Sequence, residues 1–298
     1  MKRKNIFIKT LFAATLALTL LTSLCSPALA AAFPDVNETH WAYPSIDKVS
    51  DMGLMIGRGT PNGVVFDPAG KIMGIEIHET LYRIAEGKYS EKHYDGELGN
   101  PFIFDEELND WVRQENQWYT DSAKWALKCG LTYAQWTESS GDGIPGDFVV
   151  SGRYGSILDP LEYYLDPGIE VHDAGYLEFY DTAIATRSDV ILMLYYYVTT
   201  YLGHDLTVST DLSGFTDWPT DESKIYTGDY ASCLYMAHET ELIAAWEWAV
   251  GSGIIKGCNN NTLQIGEYDK ETGSRRYITR AEYAVILDRF TAYLETLA

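Results

Sequence analysis

Apolar residues recur at helical spacing in six stretches of this chain, and the six fall into two sets of three. The shorter stretches align without gaps as WAYPSIDKVSDMG over 41–53, WYTDSAKWALKCG over 118–130 and ELIAAWEWAVGSG over 241–253. In the first, Ile46, Val49 and Met52 stand three residues apart and share one face of a helix. All three end in Gly, the residue that takes the left-handed turn closing a helix. Two of them reach a second Gly four residues later, at Gly57 and Gly257, where the middle stretch has Ala134. Longer stretches follow after a connector: IMGIEIHETLYRI over 72–84, ATRSDVILMLYYY over 185–197 and ITRAEYAVILDRF over 278–290. Thr186 and Thr279 stand at predicted N-caps, with Asp189 and Glu282 three residues on. That is a capping box in the last copy and an acidic near-relative of one in the middle copy.

A single helix–loop–helix unit is too small to bury its own apolar face, so three of them are expected to share one core. The predicted fold is mainly α: three helix–loop–helix repeats with minor β hairpins in the loops. Residues Thr262–Tyr268 and Arg275–Ile278, on either side of Gly273, read as one such hairpin. The boundaries fall at 31–90 for repeat one, 91–203 for repeat two and 204–298 for repeat three. The connector of repeat two is much the longest. Its excess, about 135–181, is rich in Gly, Pro, Asp and Tyr and reads as an inserted surface excursion. Trp41, Trp125, Trp246 and Trp248 lie within helical runs and read as packing residues.

Residues 1–30 read as an export signal. Lys2, Arg3, Lys4 and Lys9 form a basic leader, Leu11 to Leu24 is free of charge, and Ala28-Leu29-Ala30 is the small-x-small pattern of a cleavage site. The uncharged run of 14 residues falls short of the roughly 20 that span a bilayer. The expected protein is secreted, with no membrane span once the signal is removed. Acidic residues outnumber basic ones 43 to 22, and without the leader 18 basic residues remain against the same 43. A chain so acidic, with no surviving Lys/Arg run, is not a nucleic-acid binder.

Three cysteines remain after the leader, Cys129, Cys233 and Cys258, an odd number with neither redox nor zinc-ribbon spacing. No function is assigned to them. His78-Glu79 and His238-Glu239 begin like a zinc-protease helix, but Tyr82 and Leu242 stand where the second His belongs. No nucleophile elbow, phosphate loop or dinucleotide glycine pattern occurs. A non-enzyme without metal or cofactor is expected.

Further motifs are Phe33-Pro-Asp35-Val36 followed by Trp41-Ala42, Gly53 with Gly57, Phe66-Asp67-Pro68, and Thr279-Arg280-Ala281-Glu282. Together they resemble the motifs of the S-layer homology family, whose members attach exported proteins to the cell-wall polysaccharide of bacteria. The middle copy has the variant Thr186-Arg187-Ser188-Asp189, and the last opens with Phe215-Thr216-Asp217. In the first copy Met73 and Gly74 replace the Thr-Arg pair, and the middle copy lacks a clear opening motif. The resemblance implies a pseudo-threefold arrangement that binds an acidic, pyruvylated wall polysaccharide in grooves between repeats. It places Arg280, Arg187, Thr279, Thr186, Glu282, Asp35, Trp41 and Gly57 at those grooves. The physical chemistry agrees for the arginines. Each lies one residue beyond a predicted N-cap, where free N–H groups and the helix dipole favour an anion. Glu282 is expected to serve the capping box and to orient Arg280. Substituting both arginines is expected to abolish wall binding and leave the melting temperature nearly unchanged. The alternative is a structural surface or S-layer assembly protein whose degenerate repeats bind another surface protein.

Overall fold

A computed structural model describes residues 33–93, 101–105, 110–113, 117–131, 134–139, 145–150, 176–178, 184–206, 209–218, 239–265, 268–269, 274–275 and 277–297. The expected export signal at 1–30, Cys233, His238 and most of the expected 135–181 insertion lie outside the described residues.

The structure is mixed but mostly helical. Each of the six apolar stretches is a helix: α1 (Tyr43–Asp51), α2 (Gly74–Ile84), α3 (Thr120–Lys128), α4 (Arg187–Tyr196), α5 (Glu239–Gly251) and α6 (Arg280–Glu295). The glycines after α1, α3 and α5 do take the left-handed turn, with φ of 70° at Gly53, 73° at Gly130 and 77° at Gly253. Both capping boxes form. Thr186 and Asp189 exchange bonds (Thr186 N to Asp189 Oδ2, 2.6 Å; Asp189 N to Thr186 Oγ1, 3.2 Å), and Thr279 and Glu282 do the same at 2.9 and 3.2 Å. At α2 only half of the box survives. Met73 has no hydroxyl, but its N–H still donates to Glu76 Oε2 at 2.9 Å.

The residues just ahead of the three longer helices meet in a closed cycle. The Ile72 amide donates to the Ile278 carbonyl (3.4 Å), Ile278 to Ala185 (3.0 Å), and Ala185 to Ile72 (2.8 Å). Extended bridges Lys71–Thr279, Met73–Ile184 and Thr186–Tyr277 complete it. Each longer helix then packs on the shorter helix of the next copy: α2 on α3, α4 on α5, and α6 on α1. The copies are interleaved, and their apolar faces converge on one core containing Phe66, Trp125, Trp246, Trp248, Tyr283 and Phe290. Helix α4 is buried almost all round, with Val190–Leu194, Tyr196 and the following Tyr197 inaccessible and Tyr195 half-buried against Trp248. Trp41 departs from its expected packing role: it precedes α1 rather than lying within it and is 63% exposed.

Two short antiparallel hairpins stand in the loops. They are β1 (Arg58–Thr60) with β2 (Gly63–Val65), and β8 (Tyr268–Asp269) with β9 (Ser274–Arg275), the latter within the expected span. The β content is nonetheless larger than minor hairpins. Strands β3 (Pro101–Asp105), β4 (Asp110–Arg113), β5 (Ala134–Ser139), β6 (Pro145–Val150) and β7 (Tyr176–Glu178) form one sheet in the order β4-β3-β7-β5-β6. Phe102 lies opposite Arg113 and Trp136 opposite Phe148, while β7 joins the two hairpins, parallel to β3 and antiparallel to β5. Three of its strands start in or beside the insertion, whose Gly- and Pro-rich composition conceals strand alternation.

Candidate functional site

The loop of copy one is held by a single carboxylate. Asp35 accepts from the amides of Phe66 (2.9 Å) and Asp67 (2.7 Å), fixing the turn in which Asp67 takes a positive φ of 59°. Phe33 packs on Phe66, with ring centroids 5.3 Å apart. Gly57 is required here because a Cβ would lie 2.6 Å from Phe33 Cε1 and 2.3 Å from Val64 Cγ1. Copy three repeats the device. Asp217 accepts from Leu263 (2.7 Å) and Gln264 (2.5 Å), Gln264 has φ of 57°, and a Cβ at Gly257 would lie 2.8 Å from Phe215 Cε1.

An arginine from the preceding longer helix enters each loop. Arg280, first residue of α6, sends Nε to the Phe66 carbonyl (2.8 Å), Nη2 to Ile56 O (2.7 Å) and Nη1 to Glu76 Oε1 (2.6 Å). Its side chain is 4% exposed, and the guanidinium sits 4.9 Å from the Phe66 ring centre. Burial pulls the Arg280 pKa below its ordinary value, with Glu76 acting in the opposite direction. Arg187, first residue of α4, enters the copy-three loop with less burial and donates to Leu263 O (2.8 Å) and Cys258 Sγ (3.3 Å).

Beside Arg280 lies a cavity of about 440 Å³. Copy one supplies its floor and one wall through Leu54–Gly59 and α2, copy two supplies Trp118, and copy three supplies Arg280. Trp118 is 57% exposed, so its ring is open to a ligand. The cations at this groove are already matched. Arg58 pairs with Asp67 (2.8 Å) and Glu76 (2.9 Å), and Arg83 pairs with Glu79 (2.9 Å) while donating to Leu54 O (2.9 Å). An aromatic face, aliphatic walls and a floor of fixed donors and acceptors suit a ring with one apolar face and several hydroxyls.

Of the residues singled out from sequence, Arg280 and Gly57 line this cavity. Arg187 and Glu282 line a much smaller one with Gln264 and Tyr277. Thr186 and Thr279 are caps, and Asp35 is the loop clamp. Trp41 does not line the large cavity; its copy-two counterpart Trp118 does. Glu282 caps Thr279, whereas the acid that orients Arg280 is Glu76, from another copy. Arg280 thus spends three of its five N–H groups inside the protein. The expectation that its loss leaves stability untouched is not supported by this geometry. Sequence reasoning missed Arg58, Glu76, Glu79, Arg83 and Trp118. Trp118 was available through its alignment with Trp41, and Arg83 through its place one turn beyond Glu79.

Among the described residues no helix is long and apolar enough to cross a membrane. Comparison of the chain with models of known protein families and with curated proteins returned no match.

Proposed function

We propose that this chain is a non-catalytic, exported wall-binding protein composed of three S-layer homology repeats in pseudo-threefold arrangement. It attaches to the bacterial cell surface by holding a secondary cell-wall polysaccharide in the grooves between repeats. The observation that carries this reading is the composition of the large groove: a loop of copy one, Trp118 of copy two and Arg280 of copy three meet around a single space. A ligand there would be recognised only by the assembled trio. The sugar ring stacks on Trp118 while Arg280, committed to Glu76 and two carbonyls, keeps the loop in shape.

Co-sedimentation of the chain with bacterial walls, before and after chemical stripping of the secondary polysaccharide, tests this. Binding to intact walls and its loss on stripping are expected. Trp118→Ala should weaken binding by roughly three- to tenfold with unchanged helical content. Equal binding to stripped walls, or none to either preparation, sinks the proposal. In the second case the search moves to a protein partner at the cell surface.

A further inference from the structure

The copy-one and copy-three loops share a backbone plan but differ in what they show to solvent. In copy one Ile56 is 61% exposed and Val64 is 56% exposed, and the copy-three residues at those positions are Lys256 and Asn261. Met73 stands at the N-cap of α2, where both other longer helices have threonine, Thr186 and Thr279. These apolar residues are contiguous. Ile56 and Met73 line the large cavity, Val64 lies against Gly57 in its wall, and Met73 is bridged to the exposed Ile184. Single exposed apolar side chains are ordinary on a protein surface, whereas a contiguous set around a cavity marks a binding surface. The ions of this groove do not call for a charged guest, because Arg58, Arg83 and Arg280 are paired with Asp67, Glu79 and Glu76. One acceptor is left over. Both Arg83 contacts fall on Glu79 Oε1 (3.0 and 2.9 Å), and Oε2 accepts no bond among the described residues.

Resting on the wall-polymer reading above, we propose that the copy-one groove selects a sugar carrying a short acyl group, as ester or amide, and that Ile56 and Met73 are the residues that select it. The acyl methyl lies on Ile56 and Met73 while the ring lies on Trp118. Glu79 Oε2 accepts from a ring hydroxyl or from the amide N–H. A cavity of about 440 Å³ sits in the lower part of the roughly 300–1,000 Å³ range of small-molecule sites, enough for a sugar ring with such a substituent. An unsubstituted ring leaves Ile56 and Met73 against water. The acyl group covers them, and the apolar area withdrawn from water supplies the preference.

The test is calorimetric titration of the full chain with a methyl hexoside bearing an acetyl ester, with one bearing an acetamido group at the same carbon, and with the unsubstituted parent. At least one acylated sugar should bind about three- to tenfold more tightly than the parent, and which of them does so tells ester from amide. Ile56→Lys and Met73→Thr each install the copy-three residue at its position, and each should bring that ratio below about twofold. Met73→Thr also supplies the missing cap hydroxyl, so this variant is expected to fold. Equal binding of all three sugars, or a preference that survives both substitutions, overturns the assignment. Sedimentation velocity of the chain alone covers the other occupant: a dimer that Ile56→Lys dissociates puts a second copy on this face and overturns the assignment too. Binding to intact walls without binding to any of the three sugars defeats this inference alone. Failure to bind intact walls defeats the wall-polymer reading, and this inference with it.

Discussion

The three seams between successive copies are built to one plan but closed by two kinds of chemistry. Where α2 packs on α3, Tyr82 meets Trp125 edge to face at 5.7 Å, and where α4 packs on α5, Tyr195 meets Trp248 in the same way at 5.9 Å. The same two positions in the α1–α6 seam are Lys48 and Asp288, which form an ion pair at 2.7 Å. The Trp rings are 0% and 1% exposed, whereas the Lys48 side chain is 48% exposed. Copies one and two, and two and three, are thus joined by buried aromatic surface. The first and last copies meet through charges, Lys48–Asp288 near the surface and Arg280–Glu76 beneath it. Apolar burial does not titrate and is not screened by salt, while ion pairs respond to pH and are weakened by screening. The seam between the first and last copies is therefore the one that conditions can loosen.

The aromatic seams should show the largest loss. Trp125→Ala removes a fully buried indole and leaves the Lys88 carbonyl, which accepts from its Nε1 at 2.7 Å, without that donor. About 3–5 kcal/mol should be lost in urea denaturation, with no change in the pH dependence of stability. A loss below about 1 kcal/mol would mean that this seam contributes little and would break the comparison.

The buried ion pair comes next. Arg280→Ala leaves Glu76 without its closest partner and two loop carbonyls without a donor, at a cost of about 3 kcal/mol. Arg187→Ala should cost roughly 1–2 kcal/mol, because its described acceptors are a carbonyl and a thiol and the side chain is less buried. Equal destabilisation by the two variants would show that burial of the pair is not what distinguishes the copies.

Much of this plan was legible in the sequence because it depends on local signals. Helix periodicity, the closing glycines and the Thr-x-x-acid caps each act within a few residues, and all six helices appear where these signals place them. The pairing of copies was not legible. That α6 lies on α1, and that Arg280 is held by Glu76, across 204 positions of chain, depends on contacts no window contains. Gly74 illustrates the limit. Read alone, it is a missing arginine. In the structure, the loop it would serve is the one following Gly130, where Ala134 opens β5 instead of a second glycine turn. The arginine and the second glycine are missing from the sequence together. The five-stranded sheet escaped for another reason: its strands are only 3 to 6 residues long, too brief to establish an alternating pattern.

The smallest effect, and the sharpest test of the seam comparison, is at Asp288. Burial acts to raise its pKa, but hydrogen bonds from Lys48 and Ser45, with the charges of Lys48 and Arg289, hold it below the ordinary carboxylate value. Because the folded pKa lies below the unfolded one, the unfolded chain binds more protons in the window between them. The stabilisation is therefore complete above the unfolded value of about 4 and is lost as pH falls through the folded value. Lys48 is shifted upward, chiefly by its hydrogen bond to Asp288, so its share is present below the ordinary lysine value and is lost only at strongly alkaline pH. At neutral pH, Asp288→Asn should cost no more than about 1 kcal/mol, as expected of a pair with one partner half-exposed. Its signature is in the slope: the variant should lose part of the stability decrease seen between about pH 5 and pH 3, and 1 M salt should narrow the difference between the two proteins at neutral pH. An unchanged acid slope in Asp288→Asn would place the acid sensitivity elsewhere and leave the α1–α6 seam no more responsive than the two closed by tyrosine and tryptophan.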